Sequence, residues 1–451
     1  MQTDVNAAPE QALHDARTDR TPLQCDVLII GGGPAGSTAA TLLARRGWSV
    51  RLLEKERHPR FHIGESLLPM NLRIFERLGV REQIEAIGIR KPGADFPADN
   101  ERGYNVFSFA TSLRPCGNHA YQVRREHFDE LLFRNAAAAG AATEENVLVT
   151  QVSCDHTGVV ASVRHGDGST DEVRARYVID ASGRDTLLGR QWRLKRPHAL
   201  HRSAAMFAHF TGVERRPGEH AGNISIYRYD AGWIWVIPLQ HGITSIGAVC
   251  DPGYLKRRHG SQQDFLWQTL RSIPQLAARL TTASMATEVQ ATGNYSYCCE
   301  RLAGPRWLLV GDAYAFLDPV FSSGVYIAMY SAERAAEIVD TSLRAPARER
   351  RLQRAYQRDL ERGLAVFTWF ILRFNTPAIR YLFANPRNML RMQEAVVSIL
   401  AGDVFEGGAV MRRVAGFKLL YLVTSAFMWR EVRRYRRRLR DSRALTAADL
   451  A

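Results

Sequence analysis

One short glycine turn restricts the fold of this chain more than any other feature. Gly31-x-Gly33-x-x-Gly36 separates an apolar run at residues 25–30 from a helical pattern at 37–46, which Gly47 stops. A second apolar run follows at 49–53 and ends at Glu54. This order predicts a strand, a tight turn, a helix and a parallel strand, the βαβ unit at the head of an α/β fold. The first glycine permits the turn and the second lets backbone approach a pyrophosphate. The third lets helix and strand pack closely, and the helix N-terminus faces the phosphates. Glu54, 21 residues beyond Gly33, stands where a carboxylate accepts hydrogen bonds from ribose hydroxyls. The motif fits FAD and NAD equally.

The chain has 451 residues, enough for two or three cores. Residues 1–22 are polar and aperiodic and are expected to form a disordered arm. Strand alternation at 204–249 predicts a sheet-based insertion, including two strands at 233–239 and 243–249 joined across Gln240-His241-Gly242. An apolar strand at 307–310 and a helix at 324–343 return to the first domain, and the remainder from Pro346 reads as helical. The expected division is therefore a discontinuous nucleotide-binding domain (23–200 and 295–345), a β-sheet substrate domain (201–294) and a helical region with a basic tail (346–451).

Six cysteines lack paired metal spacing, so no metal site is expected. No basic stretch followed by an apolar run opens the chain, so the expectation is a cytoplasmic protein with reduced thiols. The net charge of +14 comes with no nucleic-acid motif, and no nucleic-acid partner is expected. Only five of the 60 basic residues are lysines, which makes each lysine a rarer choice.

Further segments resemble known flavoproteins. Trp307-Leu-Leu-Val-Gly311-Asp312-Ala313 resembles the second FAD fingerprint of glutathione-reductase-type and hydroxylase-type enzymes, in which the aspartate holds the ribityl chain. Asp180-Ala-Ser-Gly183-Arg184 resembles their strand-end segment, and Arg124 and Arg125 resemble the helix arginine that contacts FAD. Four more segments narrow the likeness. These are Pro59-Arg-Phe-His-Ile-Gly64-Glu65-Ser66-Leu-Leu-Pro69, Arg90-Lys91-Pro92-Gly93-Ala94-Asp95-Phe96, Trp233-x-Trp235-x-Ile237-Pro238 and Phe316-Leu-Asp-Pro319-Val-Phe-Ser322-Ser-Gly324. Together they resemble the flavin-dependent halogenases, in the branch acting on phenolic or pyrrolic substrates. Ala395-Val-Val-Ser-Ile-Leu-Ala-Gly-Asp-Val-Phe405 also resembles the C-terminal part of that branch, so the likeness spans about residues 25–410.

That resemblance implies an α/β fold with a glutathione-reductase-type FAD-binding domain, an inserted substrate sheet and a helical C-terminal region. It implies FAD held by Gly31, Gly33, Ala35, Gly36, Glu54, Lys55, Arg124, Asp312, Pro319 and Gly324. Reduced FAD, oxygen and chloride or bromide then yield hypohalous acid, an indiscriminate oxidant. Lys91 would hold or relay it, since a buried lysine loses its proton readily whereas a guanidinium stays charged. Trp233 and Trp235, two apart on one strand, share a face and would wall the flavin from the substrate; such pairs are more often plain core. Ser323 and Gly324, entering a helix, would offer backbone N–H groups to halide. Phe321 stands where tryptophan-modifying members carry glutamate, which favours an activated phenol- or pyrrole-like ring. With no nicotinamide site evident, a separate flavin reductase is expected, and the substrate could ride on an acyl carrier protein. A hydroxylase or reductase of the same fold stays open.

The tail has two readings. Residues 414–429 are mostly apolar but too few to span a bilayer, and seven arginines follow in 430–440. Such a segment either lies at an anionic membrane or docks on the body with its basic end in water.

Overall fold

The computed structural model describes residues 23–98, 103–256 and 258–448. The arm expected at 1–22 lies outside the described residues.

The first strand, Leu23–Ile30, is central to one sheet. It pairs in parallel with Val50–Leu53 on one side and Thr170–Asp180 on the other, and Trp307–Leu309 extends the sheet in parallel beyond Thr170–Asp180. Val27 to Ile30 are fully buried or nearly so, as a strand covered on both faces requires. Helix Pro34–Ala44 packs on helix Gly324–Arg344 across this sheet's end, bringing the chain's two distant nucleotide-site segments together. The turn is as tight as its glycines demand. A Cβ on Gly36 would sit 1.9 Å from the Gly31 carbonyl oxygen, and Gly31 has φ +104°.

A nine-stranded sheet forms the second layer. Its spatial order is Ala315–Phe316, Gln290–Cys299, Lys195–Thr211, Thr244–Cys250, Gly232–Pro238, Ile224–Tyr229, Gly93–Pro97 and Tyr104–Ser108, with Ser284–Met285 beside Lys195–Thr211. This differs from an insertion confined to 201–294. Gly93–Pro97 joins Ile224–Tyr229 in parallel across more than a hundred residues, a pairing with no local signal. The segment that holds Lys91 therefore leads directly into this second sheet.

Period-two alternation decides what each face of that sheet does. Trp233, Trp235 and Ile237 belong to the main core, whereas Ile234 and Val236 belong to a separate cluster with Leu266, Leu270 and Leu276. Helices Gln262–Arg271 and Pro274–Arg279 thus cover the outer face, leaving the tryptophan face toward the nucleotide domain. The helical region follows expectation, from Glu349–Ile371 through Trp429–Ala448.

Candidate active site

A cavity of about 1160 Å³ runs between the two sheets. That exceeds the roughly 300–1,000 Å³ typical of small-molecule sites and suits a dinucleotide with room beyond it. Of the residues expected from sequence, Gly31, Gly33, Ala35, Glu54, Lys55, Trp233, Trp235, Asp312, Pro319, Ser323 and Gly324 line it.

At the nucleotide end, helix Pro34–Ala44 aims its N-terminus at the cavity, with Gly33 as its cap residue and Pro34 at its first position. A Cβ at Gly33 would meet nothing closer than the Arg60 guanidinium at 3.6 Å, so space for a ligand's phosphate lies beside bare backbone. Glu54 accepts from the Gly32 N–H at 2.6 Å and from the Glu56 N–H at 3.0 Å. These bonds fix the carboxylate and leave lone pairs for a ribose. Lys55 pairs with Asp185 at 2.5 Å across the cavity's edge. Gly36 makes no cavity contact; its task is the close packing described above.

Arg124 departs from expectation. It caps helix Arg125–Ala138 from outside and its guanidinium pairs with Glu126 at 2.5 Å, away from the cavity. Arg125 lines the cavity instead. Its side chain is locked by Asp129 at 2.8 and 3.0 Å and donates to the Ile63 carbonyl at 2.8 Å. Of two adjacent arginines at a strand-to-helix junction only Arg125 lines the cavity, and sequence offers no means of choosing between them.

Asp312 follows Gly311, whose φ of +55° turns the chain at the sheet's end. Its carboxyl lines the cavity, and burial raises its pKa to about 6. Its backbone carbonyl accepts from the Tyr297 hydroxyl at 2.7 Å, but among the described residues its carboxylate has no hydrogen-bond partner, as a group that would bind a polyol chain requires. The open glycine cradle, the fixed Glu54 and this unpaired acid together fit FAD.

The helix start at the other end has an unusual backbone. Ser322 adopts φ +56°, ψ +25° and Ser323 φ −81°, ψ −14°. This left–right alternation turns successive N–H groups to one side, and the first-turn N–H groups have no intrahelical acceptor. Ser322, Ser323 and Gly324 all face the cavity. Phe321 does not. Its ring packs edge-on against Phe370 and Phe374 of the helical region, at 6.1 and 5.6 Å.

The two indoles lie 5.8 Å apart on the cavity wall, and Trp235 Nε1 donates to Ser245 Oγ at 3.1 Å. Gly247 makes room for them. A Cβ there would fall 2.2 Å from Trp235 Cζ2.

Lys91 is buried, 1% exposed. Its amine donates to Ser66 Oγ at 2.8 Å and to the Leu67 carbonyl at 2.9 Å, and lies 5.3 Å from the Phe109 ring centre. Burial pushes its pKa down to about 7. Lys91 itself does not line the cavity, but Ser66 does. The amine thus stands one hydrogen bond behind the wall.

A second buried pair adjoins it. Glu65 lines the cavity, and its Oε1 contacts His209 Nε2 at 2.8 Å, while Oε2 is buried without a partner among the described residues. The two residues are 144 positions apart, and no spacing rule links them.

With this geometry in hand, likeness to known proteins is specific. The family model described as "FAD binding domain" matches residues 24–369. A tryptophan 2-halogenase of Chondromyces crocatus is 36% identical over 325 residues, 70% of this chain and 61% of that protein. This chain therefore spans less than two thirds of that relative. A 1H-pyrrole-2-carbonyl-[peptidyl-carrier protein] brominase of Pseudoalteromonas luteoviolacea is 33% identical, covering 70% of this chain and 78% of that one. Among solved structures, a flavoprotein/dehydrogenase from Cytophaga hutchinsonii superposes with a TM-score of 0.82 at 28% identity, over 89% of this chain and all of the other. The matched FAD domain and the identity shared with these enzymes make the chain a member of the flavin-dependent halogenases, a family of FAD-dependent oxidoreductases.

Proposed function

We propose that this protein halogenates an electron-rich phenolic or pyrrolic ring, using reduced FAD, oxygen and chloride or bromide. The observation that carries the reading is the buried Lys91 amine, hydrogen-bonded to Ser66 on the cavity wall and, among the described residues, paired with no carboxylate. FAD, bound and reduced, supplies with oxygen and halide the hypohalous acid; the chain's residues do the rest.

Gly31, Gly33 and the helix N-terminus hold the pyrophosphate, Glu54 the ribose, and Asp312 the ribityl hydroxyls. Arg125, which lines the cavity, rather than Arg124, would contact the cofactor. The Ser323 and Gly324 N–H groups hold the halide without a competing side-chain cation. Trp233 and Trp235 separate the flavin end from the organic substrate, so that only a small oxidant passes. The neutral Lys91 amine takes the halogen from hypohalous acid with loss of water. The ring carbon then takes it from nitrogen, and the ring proton returns to the amine. Phe321, turned into the aromatic core, supplies no second acid, which suits a ring already activated toward electrophiles.

The carrier-linked substrate named for the Pseudoalteromonas relative supports a tethered substrate here. An acyl carrier's acidic surface would complement the net charge of +14. A separate flavin reductase delivers reduced FAD in the cytoplasm.

The decisive assay combines the protein, FAD, a flavin reductase and NADH with a phenol or a carrier-bound pyrrole, in chloride and in bromide. Mass spectrometry reads the product's isotope pattern. A halogen pattern lost in Lys91→Met is the expected result. The likeness to the Cytophaga flavoprotein/dehydrogenase favours a second reading, a halide-independent redox enzyme. A hydroxylated or reduced product formed equally without halide would establish that one instead.

A further inference from the structure

Helix Ala409–Phe427 is apolar on two opposite faces, and only one of them is covered. Val410, Val414, Phe417 and Thr424 are buried against the body, where Phe417 stacks on Phe370 at 5.7 Å and Tyr421 meets Trp369 at 5.3 Å. On the other side Leu419, Leu422, Val423 and Phe427 recur at helical spacing and are 63, 61, 45 and 85% exposed. Trp429 is 53% exposed at the next helix start. Ala415 and Ala426 fill the same exposed line. A contiguous solvent-facing row of this kind, ending in two large aromatics, marks an interaction surface.

The charge beside it is one-sided. Arg430, Arg433, Arg434, Arg436, Arg437 and Arg438 are all exposed on helix Trp429–Ala448. At about 100° per residue they fan over roughly 200° of its circumference. Their acid partners among the described residues are Glu431, 3.4 Å from Arg434, and Asp230, 3.5 Å from Arg438. Arg430 lies over the Trp429 ring, 5.4 Å from its centre. No described helix is long and apolar enough to cross a membrane.

We propose that the exposed row and the adjoining arginine helix form a docking surface for an anionic lipid bilayer. The apolar row seats at the headgroup–acyl boundary, Phe427 and Trp429 sit at the interface, and the arginines meet lipid phosphates. A broad fan of like charge needs no fixed array of acceptors, and a fluid lipid surface supplies phosphates wherever an arginine falls. A folded acidic partner would have to match that fan at defined positions. This surface is independent of the active-site reading.

The test is cosedimentation of the full-length protein with vesicles of phosphatidylcholine alone, or with about 30% phosphatidylglycerol, at about 0.1 M salt. Binding to the anionic vesicles alone, released by high salt, is expected. The double variant Leu419→Glu/Phe427→Glu and the triple variant Arg433→Glu/Arg434→Glu/Arg437→Glu should each lower the bound fraction about tenfold. Both alter exposed positions, so melting temperature and flavin absorbance should not change. Wild-type protein left in the supernatant overturns the proposal, as does binding that survives either variant. So does a dimer that Leu419→Glu/Phe427→Glu dissociates, or capture of an acidic carrier protein, where vesicle binding is absent.

Discussion

The Lys91 amine and the Ser66 hydroxyl lie 2.8 Å apart, with the serine on the cavity wall and the lysine behind it. Ser66 thus stands between the cavity and the buried Lys91 amine, and in the proposed reaction it is the group an oxidant would pass to reach that amine. Ser66→Ala removes an acceptor from that amine and opens the wall by one oxygen. Lys91 keeps the Leu67 carbonyl as a partner, so the fold should survive.

Lys91→Met should abolish halogenation and raise the melting temperature. The folded chain holds the Lys91 proton with a pKa of about 7, against 10.5 when unfolded. Folding therefore loses stability to this residue, most fully below pH 7, and the loss disappears above 10.5. The gain from Lys91→Met should be several degrees at pH 6–7 and shrink as pH rises. Thermal melts across that range check it, and an unchanged or lower melting temperature at pH 6 would refute the burial argument.

If the neutral amine carries the halogen, turnover should climb with pH through about 7, with a slope of one proton. Lys91→Arg should be as inactive as Lys91→Met, because a guanidinium stays protonated. A flat profile between pH 6 and 8, with reductase activity held constant, would remove the amine from the reaction.

Gly247→Ala places a methyl 2.2 Å from Trp235 Cζ2, so the indole must move and lose its bond to Ser245. A cost of about 1–3 kcal/mol is expected from overpacking. Denaturant titration measures it. If the indoles divide flavin from substrate as proposed, the displaced ring should also shift products from halogenated toward hydroxylated ones.

Asp312→Asn should weaken FAD binding about tenfold, equivalent to about 1.4 kcal/mol. It should at the same time stabilise the flavin-free protein at pH 7–8. The folded pKa of about 6 lies above the ordinary 3.8, so the carboxylate's burial cost is full above 6 and gone below 3.8. Equal melting temperatures for the two proteins at pH 8, without FAD, would contradict this.

His209→Leu should cost about 1–3 kcal/mol, since it leaves Glu65 buried with neither oxygen paired. His209→Gln, which can still donate, should restore much of that. Chemical denaturation of both variants separates a polar requirement from simple loss of packing.

The sequence alone determined whatever short-range geometry controls. Gly31, Gly33 and Gly36 impose a turn whose spacing permits only one arrangement of strand, helix and second strand, and Glu54 comes with it at a fixed distance. Alternation put Trp233 and Trp235 on a common face, because successive strand residues point to opposite sides. Tertiary structure decided everything that required long-range pairing or a choice of direction. It joined Gly93–Pro97 to a strand more than a hundred residues away, turned Arg125 rather than Arg124 to the cavity, and brought Glu65 against His209. It also settled which face of helix Ala409–Phe427 would be covered: both faces are apolar in sequence, and packing on the body, including Phe370 and Trp369, distinguishes them. Local rules fix backbone conformation and side-chain period, whereas the partners of a buried charge or an apolar stripe depend on which distant elements the chain's packing brings beside it.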